Sequence, residues 1–229
     1  MNYDDLQRTV VDYLRRNDAW NRVVSIDIEA SLETPYDPGR AMLSLSVARR
    51  GAGGIEVSDF IVKEETEEQE FEAIFSRFGP YCEQNRPLVL LGYGISDFDL
   101  PILSVKLRLL DERFRKDGKY LSGYWALRDT LRRAYVIDLI DPVRFEIARV
   151  DRAPPHFLSL EAAIQHERFH GLPFRNAKHV VSDLMKERQL NKWEAIHYLW
   201  MNDRERFREY IEGDVHDTLL LAEELFLRA

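Results

Sequence analysis

The chain has one cysteine, Cys82, so no intrachain disulfide can form. A lone thiol fits a reducing compartment, and a cytoplasmic location is expected. No apolar run approaches the ~20 residues that cross a bilayer. The N-terminus, MNYDDLQRTVVDYLRRNDAW, brings acids early and has no apolar core segment, so it does not read as a secretory signal. Excess positive charge is missing too: 32 Lys and Arg stand against 40 Asp and Glu, a formal net charge of −8. That argues against a wholesale electrostatic nucleic-acid binder, whose domains are basic. It leaves room for a local basic groove, or for an acidic site that gathers cations. Repeats, low-complexity tracts and obvious linkers are also absent. What remains is 229 residues, 45% hydrophobic and 31% charged, the composition of a globular protein with room for a proper core.

Tyr3, Leu6, Val10, Tyr13 and Leu14 recur at helical spacing and predict an amphipathic first helix within residues 1–20. Three strands are expected next, over 22–29, 41–49 and 55–63. A loop, Glu33 to Gly39, joins the first two, and a glycine-rich hairpin turn, Arg50 to Gly54, joins the others. Residues 67–84 carry Phe71, Ile74, Phe75 and Phe78 on one helical stripe behind an acid-rich start. The continuous apolar run PLVLLGY, 87–93, predicts a fully buried strand. A helix over 99–110, a strand over 134–140 and helices from Phe157 onward complete the pattern. Strands in a meander, then alternating helix and strand, then helices, imply one α/β domain over 1–229. Its mixed five-stranded sheet is flanked by helices, with 109–133 and 171–201 as elaborations.

Three places in this pattern carry acids in unusual positions. In VVSIDIEA, Asp27 and Glu29 stand at i and i+2 of a strand and so share a face. Two like charges side by side there repel and lose hydration. In LGYGISDFDLPIL, Asp99 follows an apolar strand and a glycine turn. It reads either as a helix N-cap ahead of Pro101 or as a ligand group beyond a central strand, where α/β sheets gather theirs. In YIEGDVHDT, Tyr210 and Asp214 are i and i+4 on a helix and share a face. Gly213 inside that helix costs ~1 kcal/mol against alanine, which points to a close approach.

Together these segments resemble the DnaQ-like 3′→5′ exonucleases, and most closely the proofreading domain of family-B DNA polymerases. GYGISDFDLPIL is similar to that domain's G-Y-N-x-x-x-F-D-x-P-Y-L string, and YIEGD to its Y-x-x-x-D motif. A weaker echo is VIDL at 136–139 followed by SLEAA at 159–163, similar to the strand and S-L-x-x-V helix of the same domain. The histidine branch would need His where Glu209 stands, so the tyrosine (DEDDy) branch fits. The resemblance implies a ribonuclease H-like fold and two divalent ions, Mg²⁺ or Mn²⁺, held by Asp27, Glu29, Asp99 and Asp214. By analogy Asp27 bridges both ions, Glu29 and Asp214 hold the one that activates water, and Asp99 holds the other edge through water. Tyr210, with an ordinary pKa of ~10, orients the water rather than deprotonating it. The implied reaction turns a nucleic acid with a free 3′ end into nucleoside 5′-monophosphates. Single-stranded DNA is the favoured substrate and RNA the alternative. Ala30 and Gly94 replace the family's usual Thr and Asn, which bears on the handling of the 3′-terminal nucleotide rather than on the chemistry. Because the chain stops just after the third motif, a stand-alone enzyme without proofreading in cis is expected.

Two other readings stand beside this one: a non-catalytic nucleic-acid-binding module on the same fold, and a ribonuclease H-like endonuclease. Neither accounts for all four acids and the tyrosine. His166 and His170 have helical metal spacing but no third ligand, so a zinc site is not expected. The basic stretch from Lys106 to Arg133 reads as a solvated surface or as a phosphate-contacting rim. Within it Tyr120, Tyr124 and Trp125 either stack on bases or pack a small subcore. Trp193, Tyr198 and Trp200 are expected in the core. Oligomeric state, strand preference and biological pathway are not legible in the sequence.

Overall fold

Residues 3–31, 41–118 and 121–228 are described by a computed structural model. The expected loop Glu33 to Gly39, and Lys119 and Tyr120, lie outside the described residues. Helix α1 (Tyr3–Arg16) leads through a 3-10 turn at Trp20–Arg22 into β1 (Val23–Ala30), β2 (Met42–Gly51) and β3 (Gly54–Ile61). Among the described side chains of α1, Val11 and Leu14 are buried, whereas Tyr13, expected on that stripe, is exposed; the side chains of Tyr3 and Leu6 lie outside the described ones. Ala52 and Gly53 make the tight turn between β2 and β3.

The expected helix over 67–84 is one continuous rod with a change of winding. It runs from α2 (Glu67–Gln69) through a π-helical stretch (Glu70–Phe75) into α3 (Ser76–Asn85). Strand β4 (Val89–Gly92) and α4 (Asp99–Asp117) follow, the helix extending a full two turns past its expected end. Then come α5 (Tyr124–Arg133), β5 (Tyr135–Asp138) and α6 (Ile140–Asp151). Neither α5 nor α6 was expected as a helix. The remainder is α7 (Leu160–Gln165), α8 (His179–Arg188), α9 (Lys192–Asn202) and α10 (Arg204–Leu227).

The five strands form one mixed sheet in the order β3-β2-β1-β4-β5. The first three are antiparallel, and β4 and β5 add in parallel. This is the expected ribonuclease H-like arrangement, an α/β fold with helices on both faces. The alternation of β1 divides the core. Val24, Ile26 and Ile28 join Leu45, Phe78 and Leu127 under α3, α4 and α5. On the other face, Val23 and Leu91 meet Leu14 of α1, Val143 of α6 and Leu219 of α10. Each fully buried side chain of this size contributes roughly 1.5–3 kcal/mol, so both clusters are needed to hold the sheet.

Candidate metal centre

Because Ser25, Asp27 and Glu29 have odd numbers in β1, they face α10, which lies across β1 and β2. Ser44 and Ser46 of β2 stand opposite Glu29 and Asp27. Their small side chains let the helix approach closely. Helix α10 is capped by Asp203, whose carboxylate accepts from the Arg206 N–H at 3.2 Å. Two turns later it lays Tyr210 and Asp214 over the strand. The close approach expected at Gly213 is present: a Cβ there would lie 2.5 Å from the Cβ of Ala177. One turn further, Asp217 accepts the backbone N–H groups of Arg175 and Asn176, each at 2.8 Å. Gly213 and Asp217 together clip the 175–178 segment onto α10.

One oxygen from each of Asp27, Glu29 and Asp214 meets the others within 4.8 Å. This is the only such gathering of His, Cys, Asp and Glu among the described residues. Glu29 and Asp214 are buried, and Asp27 is partly open to a cleft while its Oδ2 is buried without a hydrogen-bond partner.

Asp99 stands beside this trio rather than in it, at the first residue of α4. It is not the N-cap; Phe98 holds that place without a side-chain bond. Strand β4 stops at Gly92, so the Ile28 N–H of β1 has no strand partner on that side, and Asp99 Oδ1 accepts it at 2.7 Å. All five predicted residues (Asp27, Glu29, Asp99, Tyr210 and Asp214) line one cleft of about 790 Å³.

The electrostatics are those of a cage short of positive charge. Burial, with repulsion from Glu29 and Asp214 added, pushes the Asp27 carboxyl up to about 8. Burial also raises Glu29, against the opposing charges of Lys192 and Lys178. Asp99 is held well above the carboxylate range by burial and by Asp27. Asp214 is raised by burial, with Lys178 opposing. Tyr210 is fully buried, and burial together with Glu29 holds its phenol well above the ordinary value.

Lys178, which the sequence did not single out, is the cation inside this cage. Its Nζ bonds Asp214 and donates to the Tyr210 hydroxyl at 3.2 Å. Burial alone would lower its pKa, but Asp214, Asp27 and Glu29 outweigh that and raise it. Lys192, at the start of α9, is the second cation of the cleft. A lysine close to a small residue carries no motif, so only the docking of 175–178 on α10 reveals Lys178.

The turn after β4 is built by Asp138, whose carboxylate accepts the N–H groups of Gly94 at 2.9 Å and Ser96 at 3.1 Å. Gly94 has φ +84 and lines the cleft, so glycine suits a backbone that a side chain would strain. Ala30 does not line the cleft; it packs in the apolar cluster on the opposite face. Of Gly94 and Ala30, only Gly94 therefore faces the cleft. Tyr93 donates to the Leu158 carbonyl at 2.7 Å and brings Ser159 and Leu160 to the cleft rim.

Other expectations change. The basic stretch is largely self-neutralised: Lys106 pairs with Glu70 and Arg113 with Glu68, both at 2.8 Å, and Arg132 with Asp111 at 3.0 Å. None of its described residues lines the cleft. Tyr124 is buried and stacks on Phe114, so it packs a subcore, while Trp125 is exposed. Trp200 is buried as expected, but Trp193 lines the cleft. His166 faces Asp151 and His170 faces the Gln165 carbonyl, each at 3.2 Å, so the two rings serve different partners. No described helix is long and apolar enough to cross a membrane.

No protein-family model matches the sequence. No curated protein matches it either. Among solved structures 36 chains match. One is the family B DNA polymerase from the hyperthermophilic archaeon Pyrobaculum calidifontis, with a TM-score of 0.52 and 20% identity over 89% of this chain. The matched part is 24% of that polymerase, so this chain spans about a quarter of its length. At that identity the likeness shows the fold, and the fold is the one the acidic motifs led us to expect.

Proposed function

We propose that this chain is a metal-dependent 3′→5′ exonuclease acting on nucleic acid with a free 3′ end, single-stranded DNA first, as one domain over residues 1–229. The observation that carries the reading is the meeting of Asp27, Glu29 and Asp214 within 4.8 Å. Three carboxylates so close, two of them buried and Asp27 opening to the cleft with its Oδ2 left without a partner, fit hard divalent cations such as Mg²⁺ or Mn²⁺. Asp27, Glu29 and Asp214 would be direct ligands, with Asp99 contributing from the edge. Cations bound there supply the positive charge that the scissile phosphate, the attacking water and the leaving 3′ oxygen all need.

The chain's own groups do the rest. Lys178 donates to the Tyr210 oxygen, and the phenol in turn bonds Glu29. A phenol held between these two, with its pKa raised, orients a water and does not deprotonate it. The water's oxygen bonds to phosphorus as the bond to the 3′ oxygen of the preceding nucleotide breaks; the water's proton ends on that oxygen as the new 3′ hydroxyl, and a nucleoside 5′-monophosphate is released. Incubating 5′-labelled single- and double-stranded DNA and RNA with Mg²⁺ or Mn²⁺ tests this. A shortening ladder, abolished in Asp27→Ala and Asp214→Ala, is the expected result. Internal cuts would favour an endonuclease, and binding without degradation a non-catalytic module.

A further inference from the structure

Helix α9 carries two tryptophans seven residues apart, hence on nearly the same face. Trp200 is sealed in the core, its indole N–H donating to the Val62 carbonyl at 3.0 Å. Trp193, two turns earlier, runs out over the cleft and is only half-buried. Its ring stacks on Phe98 with centroids 5.8 Å apart and planes 26° apart. Phe98 is the residue before Asp99, so this stack adjoins the acidic cage. Val181, Met185 and Leu190 extend the same wall. Beside it lie Lys192 and Lys186, two of the cleft's three lysines in a chain of net charge −8. One cleft thus brings together an aromatic pair, two lysines and the carboxylates, groups that match the three parts of a nucleotide at a cleaved end: base, phosphates and metal-bound oxygens. The volume, about 790 Å³, lies within the roughly 300–1,000 Å³ usual for small-molecule sites. A space of that size holds a nucleotide.

We propose that Trp193, backed by Phe98, is the stacking platform for the base of an unpaired 3′-terminal nucleotide, with Lys192 and Lys186 contacting the neighbouring phosphates. The inference rests on the exonuclease reading and adds to it the residue that positions the substrate. Stacking is sequence-tolerant because every base has a π-face, so this platform sets a preference for single strands without a preference for sequence.

The test compares wild type, Trp193→Ala and Trp193→Phe. Each is titrated in Ca²⁺ with an eight-nucleotide thymidine oligomer carrying either a normal or an abasic 3′-terminal residue, and kinetics follow in Mn²⁺. For the normal end, Trp193→Ala weakens binding and raises KM by ~10-fold with a smaller change in kcat, while Trp193→Phe stays within a few-fold. The abasic oligomer binds wild type and Trp193→Ala alike. Indole emission of the wild type is quenched on binding, and most of that quench is lost in Trp193→Phe. An equal affinity ratio between normal and abasic ends in wild type and Trp193→Ala would overturn the proposal. So would an undiminished quench in Trp193→Phe, an arm that decides even if Trp193→Ala does not fold. If wild type shortens the oligomer and these arms fail, only the platform falls. If wild type neither binds nor shortens it, the exonuclease reading falls as well.

Discussion

On the face of the sheet covered by α3, α4 and α5, β1 contributes Val24, Ile26 and Ile28, each almost fully buried among hydrocarbon. On the face covered by α10, the same strand contributes Ser25, Asp27 and Glu29, and β2 adds Ser44 and Ser46. Burial is similar on both sides; chemistry is not. The hydroxyls of Ser25, Ser44 and Ser46 and the Oδ2 of Asp27 are buried without hydrogen-bond partners. Each unmade bond costs ~1–3 kcal/mol. One face therefore only stabilises the fold, and the other, beside its own apolar cluster around Val23 and Leu219, carries the unpartnered Asp27 oxygen in the cleft, which costs stability unless a cation offsets it. That division separates the residues that make the protein stand from those that give it chemistry.

The comparison can be broken by mutation on either side. The largest effect is expected at the cage: Asp27→Asn or Asp214→Asn lowers exonuclease turnover by ~10²–10³-fold or more, as removal of transition-state electrostatics does. Circular dichroism should show the fold intact. On the apolar face the pattern reverses. Leu45→Ala removes a fully buried side chain and costs about 2–5 kcal/mol in denaturant melts, while the protein that remains folded keeps its metal affinity.

Between these extremes lies Gly213, where a Cβ would meet Ala177 at 2.5 Å. Gly213→Ala gains helix propensity of ~1 kcal/mol but overpacks the clip at a cost of ~1–3 kcal/mol. A modest loss of stability is expected together with a larger loss of activity, because the 175–178 segment carries Lys178. Comparing melting temperature with kcat for this variant separates the two. The smallest effect belongs to the surface. Arg133→Ala breaks an exposed pair with Asp129 and should change stability by ~0–1 kcal/mol and leave activity unchanged, since Arg133 lies outside the cleft.

The sequence made the acidic half of this legible because strand and helix periodicity alone bring Asp27 next to Glu29 and Tyr210 next to Asp214. The meander, the hairpin and the buried β4 were legible for the same reason. Helix α6 was not: Leu139 and Ile140 extend the apolar run of β5, and the N-cap at Leu139 has no side-chain bond to announce a helix start. The π-helical stretch at Glu70–Phe75 is hidden because Phe71, Ile74, Phe75 and Phe78 keep ordinary α-helical spacing in the sequence, which carries no sign of the wider winding. Lys178, Lys192 and Trp193 acquire meaning only when α8, α9 and α10 pack around the cleft. Trp193 shares a helix face with Trp200, and no local pattern distinguishes a cleft residue from a core one there.

The central claim is that the α10 face is a cation site, destabilising when bare. Its most direct test is melting temperature against pH, with chelator or with Mn²⁺, for wild type and Asp27→Asn. The Asp27 carboxyl rises from an ordinary 3.8 to about 8 in the fold. Between those values the folded state holds a proton that the unfolded chain has released, so the bare protein loses stability as pH climbs from about 4 to about 8. Binding a cation displaces that proton, so Mn²⁺ should stabilise wild type most above pH 8, at about 2–4 °C per kcal/mol for a chain of this size. Asp27→Asn should show a shallower fall with pH and little gain from Mn²⁺. A wild type whose melting is indifferent to Mn²⁺ at every pH, or an Asp27→Asn variant that gains as much as wild type, would contradict the account.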